Sequence, residues 1–180
     1  MSRQESIFPN GQGVFRTLPT LTRLVFLALF LVLYLNGQVL AAPSPNAAGE
    51  VYTDQETGLM WQKDDSFHDL KMGVNWYDAL EYVGEKNSQK LGGFDDWRLP
   101  TMQELNKLWD ASRPLKSKDG ERIGLTQSFA AGGSYYLWSG DERGLDNAWY
   151  FGLGHKENYF NLKDLADLDQ GVKLVRKISP

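Results

Sequence analysis

The chain has no cysteine and only 2 histidines. The first absence excludes disulfides, a thiol nucleophile, a four-cysteine zinc site and a lipid-modified cysteine. The second leaves His68 and His155 as the sole imidazoles, both in polar stretches. Ser139 and His155 are conceivable as nucleophile and base, but nothing in the sequence orients the pair, so the chain reads as non-catalytic. A phosphate-cradling glycine motif is also missing, because Gly11-Gln12-Gly13 lies ahead of an apolar run and not at a strand–helix junction. There is no internal repeat, no long low-complexity segment and no basic excess. The formal net charge is −4. Removing residues 1–41 takes away Arg3, Arg16, Arg23 and Glu5 and moves it to −6. A mildly acidic chain is a poor partner for nucleic acid or other polyanions and is compatible with cations or neutral sugars.

What is present begins with an apolar run at residues 24–35, preceded by Arg16 and Arg23. It spans about 12 residues, where a bilayer takes about 20. Asn36-Gly37 breaks it, Val39-Leu40-Ala41-Ala42 offers small residues for cleavage, and Pro43-Ser44-Pro45 follows. This is the pattern of a secretory signal peptide, and the alternative is an uncleaved anchor stretching from Leu21 to Leu40. The expected organisation is therefore a signal peptide or N-terminal anchor at 1–42, a small polar linker at 43–50, and one domain at 51–180. The product is exported, periplasmic or extracellular, and touches a membrane only through an uncleaved N-terminal segment. Without disulfides the domain must stand on its core, for which a hydrophobic content of 42% is sufficient. Aromatic content is high at 13%, which serves either core mass or ligand platforms.

Along the domain, Val51-Tyr52-Thr53 and Leu59-Met60-Trp61-Gln62-Lys63 flank a turn-like segment and predict a hairpin. Residues 64–74 read as a polar loop. Asn75 is placed to cap a helix from Trp76, with Asp78 in its first turn and Trp76, Ala79, Leu80 and Val83 on one apolar face. Gly92-Gly93 marks a turn, and Leu99-Pro100 forces an extended residue before Thr101. Thr101 and Glu104 form a capping box for a second helix that buries Met102, Leu105, Leu108 and Trp109 and stops before Pro114. Residues 113–134 show no period. Strands are expected at 135–139, 148–153 and 172–176, with a loop at 140–147 and an undecided segment at 155–170. The order predicts an α+β fold with a mostly antiparallel sheet.

Several motifs carry more information in combination. They are Thr57-Gly58-Leu59-Met60-Trp61, Trp76-Tyr77-Asp78-Ala79-Leu80, Gly93-Phe94-Asp95-Asp96-Trp97-Arg98-Leu99-Pro100-Thr101 with Glu104-Leu105, Leu137-Trp138-Ser139, Ala148-Trp149-Tyr150 and Val172-Lys173-Leu174-Val175-Arg176. In this order and spacing, from about Glu50 to Lys177, the chain resembles the Lcl C-terminal domain family, a bacterial family named from a collagen-like adhesin. The resemblance implies a C-type-lectin-like fold, with two helices packed on a small twisted antiparallel sheet and the ends of the domain paired. The adhesin's glycan binding and trimer formation do not transfer with the fold. Members often carry cysteines where this chain has Val83 and Leu174, so these two residues are expected to touch in the core.

Two acidic stretches compete for a cation. Asp95-Asp96 is read as structural, with one carboxylate on Arg98 or on the amides of the glycine turn. The loop of Asp141, Glu142, Asp146 and Asn147 is the better Ca²⁺ candidate, against a plain exposed hairpin loop, and no other cofactor is implied. The six tryptophans are mostly core. Trp149, Tyr150, Tyr159 and Tyr135 lie where the sheet nears these loops, and such rings stack on sugar faces. The ligand-binding candidates are thus Trp149, Tyr150, Tyr159, Asp141 and Glu142. Asp96, Arg98, Thr101, Glu104, Val83 and Leu174 are assigned structural tasks. The expected function is a non-catalytic binding module for a glycan or a cell-surface protein. The alternative is an assembly subunit that oligomerises through an aromatic surface.

Overall fold

The computed structural model describes residues 47–166 and 169–178. The N-terminal apolar run lies outside the described residues, and among these no helix is long and apolar enough to cross a membrane. Residues 47–50, expected in a linker, instead form a helical turn, α1 (Ala47–Glu50). The domain begins there because Glu50 is tied in: its carbonyl accepts from Lys63 N (2.9 Å) and its carboxylate from Gly92 N (3.3 Å).

The expected hairpin is β1 (Val51–Asp54) with β2 (Leu59–Gln62). The loop at 64–74 contains a one-turn helix, α2 (Ser66–Leu70), capped by Asp65 and His68. Then come α3 (Trp76–Ser88), a 3₁₀ turn at Leu91–Gly93, and α4 (Met102–Leu108). The predicted capping box of Thr101 with Glu104 is present, and the predicted cap Asn75 forms a second box with Asp78. The aperiodic stretch holds a two-residue ribbon, β3 (Leu115–Lys116) with β4 (Arg122–Ile123). The β-rich half comprises β5 (Tyr136–Arg143), β6 (Asn147–Gly152), β7 (Glu157–Leu162), β8 (Gln170–Gly171) and β9 (Val175–Lys177).

The fold is α+β, but the strands of the described residues fall into three sheets, ordered β1-β2-β9, β3-β4 and β7-β6-β5-β8. The pairing of β5 with β8 is parallel and the other strand pairings among the described residues are antiparallel, as a mostly antiparallel fold requires. The expected loop at 140–147 is mostly strand. A register shift between Trp138 and Glu142 absorbs Gly140, and β5 then runs on to Arg143, leaving only residues 144–146 as the turn.

Side chains alternate across β5 and β6 and so feed two cores. Trp138 and Tyr150, paired in register, join Trp76, Ala79, Tyr82, Trp97, Val172 and Leu174 on the α3 side. Leu137 and Phe151, the adjacent pair, join Trp61, Leu105, Ile123, Leu153 and Val175 on the α4 side. Trp61, Trp76, Trp97 and Trp138 are buried, while Trp109 and Trp149 are half-buried.

The buried face of α3 is rotated from the expected one: Leu80 is 44% exposed and Tyr82 takes its place. Tyr82 tolerates burial because its hydroxyl donates to Asp69 (2.6 Å) and accepts from Gln62 (2.7 Å). Val83 packs against the cluster that contains Leu174, so the two positions share one core.

Residues 92–101 clasp the helices to the sheet. Gly92 (φ 61°) and Gly93 (φ 91°) occupy left-handed backbone, and a Cβ on Gly92 would lie 2.6 Å from Val51. Asn87 brackets Trp97, accepting from its N–H (2.8 Å) and donating to its carbonyl (2.9 Å). Arg98 exchanges both backbone hydrogen bonds with Val175 (3.0 Å each). The ion pairing differs from expectation. Arg98 forks onto Glu104 (2.8 and 2.7 Å), whereas Asp96 takes Arg176 (2.5 and 3.1 Å) from the C-terminal strand. Glu104 faces Arg98 because the capping box already turns its carboxylate back to Thr101 N (2.8 Å).

Candidate functional site

The candidate site is the solvent face of the β5–β6–β7 sheet beyond α4. Gly144 (φ 72°) closes the β5–β6 hairpin, and the closing register pair is Arg143 with Asn147. Next on the same face, Trp149 pairs with Phe160 and Asn147 with Leu162. Trp149 and Phe160 meet edge to face, with ring centroids 5.6 Å apart. The Arg143 guanidinium lies on this pair, 3.5 Å from the Phe160 centroid and 5.2 Å from that of Trp149. Phe160 is still 49% exposed. Among the described residues the Arg143 guanidinium makes no hydrogen bond or ion pair. The arrangement presents aromatic edges and apolar surface beside a cation whose five N–H donors remain unspent.

The other sequence candidates have structural tasks. Tyr150 is only 4% exposed and is core, not ligand platform: it stacks on Tyr159 (5.3 Å) and meets Trp138 edge-on (5.5 Å). Tyr159 is half-buried against it, with its hydroxyl on Glu157, and Tyr135 lies edge-on to Tyr136 (4.8 Å). Asp141 accepts from Met102 N (2.7 Å) and so helps cap α4. Glu142 pairs with Lys163 (2.6 Å), whose buried ammonium also reaches the Leu145 carbonyl (2.7 Å) and lies 5.0 Å from the Trp76 ring. Asp146 offers its carbonyl to Lys163 N (2.8 Å), and Asn147 sits at the start of β6. The four residues of the supposed Ca²⁺ loop are thus dispersed. Among the described residues no three acidic or imidazole groups converge on a metal position.

Arg143, Phe160 and Lys163 escaped sequence reasoning. Strand alternation from Trp149 across to the next strand was the signal for Phe160, and the hairpin's closing position was the signal for Arg143.

A second polar cluster is buried. Asp65 accepts from Phe67 N (3.1 Å) and Ser134 N (2.7 Å), and its carboxylate lies 2.9 Å from His68 Nδ1. His68 Nε2 reaches the Ala131 carbonyl (3.0 Å). Burial works to raise the Asp65 carboxyl, but His68, the Lys173 charge and the Ser134 amide outweigh it and hold it below the usual range. The hydrogen bond to Asp65 raises His68 against a smaller effect of burial. Lys173 is 1% exposed and donates to the carbonyls of Asp64 (2.6 Å), Lys63 (2.9 Å) and Gln62 (3.3 Å), 4.9 Å from the Phe129 ring. Burial pushes its ammonium down to about 8, opposed by the charges of Asp65 and Asp64. The Asp65 carboxylate, the His68 ring and the Lys173 ammonium each bond to neighbours, so the cluster fixes the turn after β2.

No curated protein matches the chain at a significant level. The model described as the Lcl C-terminal domain matches residues 50–176, spanning the hairpin, α3, the clasp, α4 and the sheet that carries Arg143, Trp149 and Phe160, and the chain therefore belongs to the Lcl C-terminal domain family.

Proposed function

We propose that this chain is an exported, non-catalytic binding module of C-type-lectin-like fold that recognises a glycan on the Arg143–Trp149–Phe160 face. The observation that carries it is the Arg143 guanidinium lying on the pair of exposed Phe160 and half-buried Trp149 with its donors unspent. A sugar ring has an apolar face that suits Trp149 and Leu162, and hydroxyl or carboxylate oxygens that suit the guanidinium. The fold reading is supported by the pairing of β2 with β9, which joins the two ends of the domain, and by α3 and α4 on opposite sides of β5 and β6. Export is supported by the N-terminal apolar run and the small residues after it.

The experiment is a glycan array probed with the full chain and with Trp149→Ala and Arg143→Ala. Binding should fall about tenfold or more in each variant, as expected for loss of an interface anchor, with the melting temperature unchanged. Binding that persists in both variants would overturn the assignment of this face.

One observation favours a second reading. β7 is the edge of its sheet and places Phe160 and Leu162 in solvent, the arrangement through which edge strands pair with another chain. On that reading the module assembles with copies of itself. A silent array together with a constant dimer or trimer mass in light scattering over a wide concentration range would select it.

A further inference from the structure

We propose that the groove between the α2–α3 connection and the outer side of α3 docks a basic amphipathic helix from a protein partner. The groove encloses about 550 Å³ and lies apart from the β5–β7 face. Its apolar floor and lip are Leu70, Met72, Val74 and the ring of Tyr82, with Leu70 and Met72 exposed at 41% and 62%. Its rim on α3 is acidic: Asp78, Glu81 and Glu85 all line it. They recur at i, i+3 and i+7, a stripe of about 10 Å at 1.5 Å per residue.

Lys86, on the same helix, does not neutralise that rim, because it is held by Asp69 (2.8 Å). The walls are fixed before any partner arrives. Lys71 sits in left-handed backbone (φ 58°), a Cβ on Gly73 would lie 2.6 Å from the Asp169 backbone, and Val74 N bonds the Gln170 carbonyl (2.9 Å). Tyr82 is fixed by its bonds to Asp69 and Gln62. A preformed groove spares the ordering cost that weakens floppy binding surfaces.

The shape and charge select the partner class. Acids repel anionic lipid and nucleic acid. A lone metal ion is a poor fit, since no three acidic groups converge among the described residues and Asp78 and Glu85 are engaged with Asn75 N (3.3 Å) and Gln89 (2.8 Å). A helix with Lys or Arg on successive turns matches the stripe, and its Leu, Met or Phe side chains enter the floor, where Met72 adapts to their shape.

The test is fluorescence anisotropy of the full chain with a labelled designed peptide of about 18 residues, which carries lysines at i, i+3 and i+7 beside an apolar stripe. A scrambled peptide of the same composition is run beside it. The variants are Glu81→Lys with Glu85→Lys, and separately Met72→Asp. Asp78 is left intact because it caps α3. A distant double reversal, Glu56→Lys with Glu121→Lys, controls for net charge. The designed peptide should bind with Kd below about 1 mM, and the scrambled one about tenfold weaker. Each groove variant should weaken binding about tenfold, and the distant reversal less than about threefold. All mutated side chains are exposed, and thermal melts confirm the fold. The proposal is overturned by absent binding, by equal binding of the scrambled peptide, by an equal loss in the distant reversal, or by unchanged binding in Met72→Asp.

Discussion

Of the cations that rest on phenylalanine rings among the described residues, Lys173 and Arg143 could hardly be used more differently. Lys173 lies 4.9 Å from the Phe129 ring and Arg143 3.5 Å from that of Phe160. The lysine is sealed in, and its three N–H donors meet three backbone carbonyls. The arginine lies on the surface, and its donors have no partner among the described residues. Ring contact is common to both, so it does not mark a site. What separates them is whether the hydrogen-bonding capacity is already spent. A spent cation holds the fold, and an unspent one on the surface keeps its donors turned to solvent.

The strongest way to break this contrast is Lys173→Met. The thioether leaves the carbonyls of residues 62–64 without their donor and Asp65 without its cation, which should cost about 3 kcal/mol or more in urea denaturation. A loss below about 1 kcal/mol would show that the lysine does not hold that turn. The lysine also has a pH signature. Between about 8 and its ordinary 10.5 the unfolded chain binds a proton that the folded chain has lost, so this group's contribution to stability rises with pH, and the variant should lack that rise.

An intermediate case is Arg98→Ala. Arg98 is satisfied by Glu104 but is 38% exposed, so the expected loss is about 1–2 kcal/mol, with glycan capture unaltered. Lost capture at an unchanged melting temperature would move the clasp from scaffold to site.

His68 sharpens the buried side of the contrast. Its folded value is raised, so its contribution is complete below the ordinary 6.5 and is lost as pH rises through the folded value. His68→Gln should flatten that decline in thermal melts, by less than about 1 kcal/mol given partial exposure. An unchanged pH profile would remove the His68–Asp65 pair from the stability of the turn. The smallest effect on stability is expected for Arg143→Ala, within about 0.5 kcal/mol, although it should lose most of the glycan binding. A large destabilisation would place Arg143 with Lys173 rather than opposite it.

The sequence made legible what is local. Both capping boxes, the glycine turn and the N-terminal hairpin follow from residues within a few positions of one another. The Asp96–Arg176 pair joins residues 80 apart, and Lys173 meets carbonyls more than 100 positions away, so no spacing rule reaches them. Tyr150 and Phe160 show a subtler failure. Both are aromatics on strands, but β6 is covered on both sides over part of its length only, so alternation does not say which aromatic is core. β7 was undecided for a related reason: its large apolar residues Phe160 and Leu162 face solvent, which inverts the usual amphipathic pattern. The inversion that hides the strand also helps to make the candidate site.

The order β1-β2-β9 has a mechanical consequence. β1 and β9 both run antiparallel to β2, so they are parallel to each other on its two sides. The chain enters β1 at Val51, opposite Gln62, and leaves β9 at Lys177, opposite Leu59, at the other end of β2. Tension between those two points pulls the outer strands in opposite directions along their length. The rungs of both ladders then share the force at once, in shear, and do not peel open one after another. Resistance to such a pull is governed by the unfolding rate and not by equilibrium stability, so the domain's strength under load need not track its thermodynamic stability.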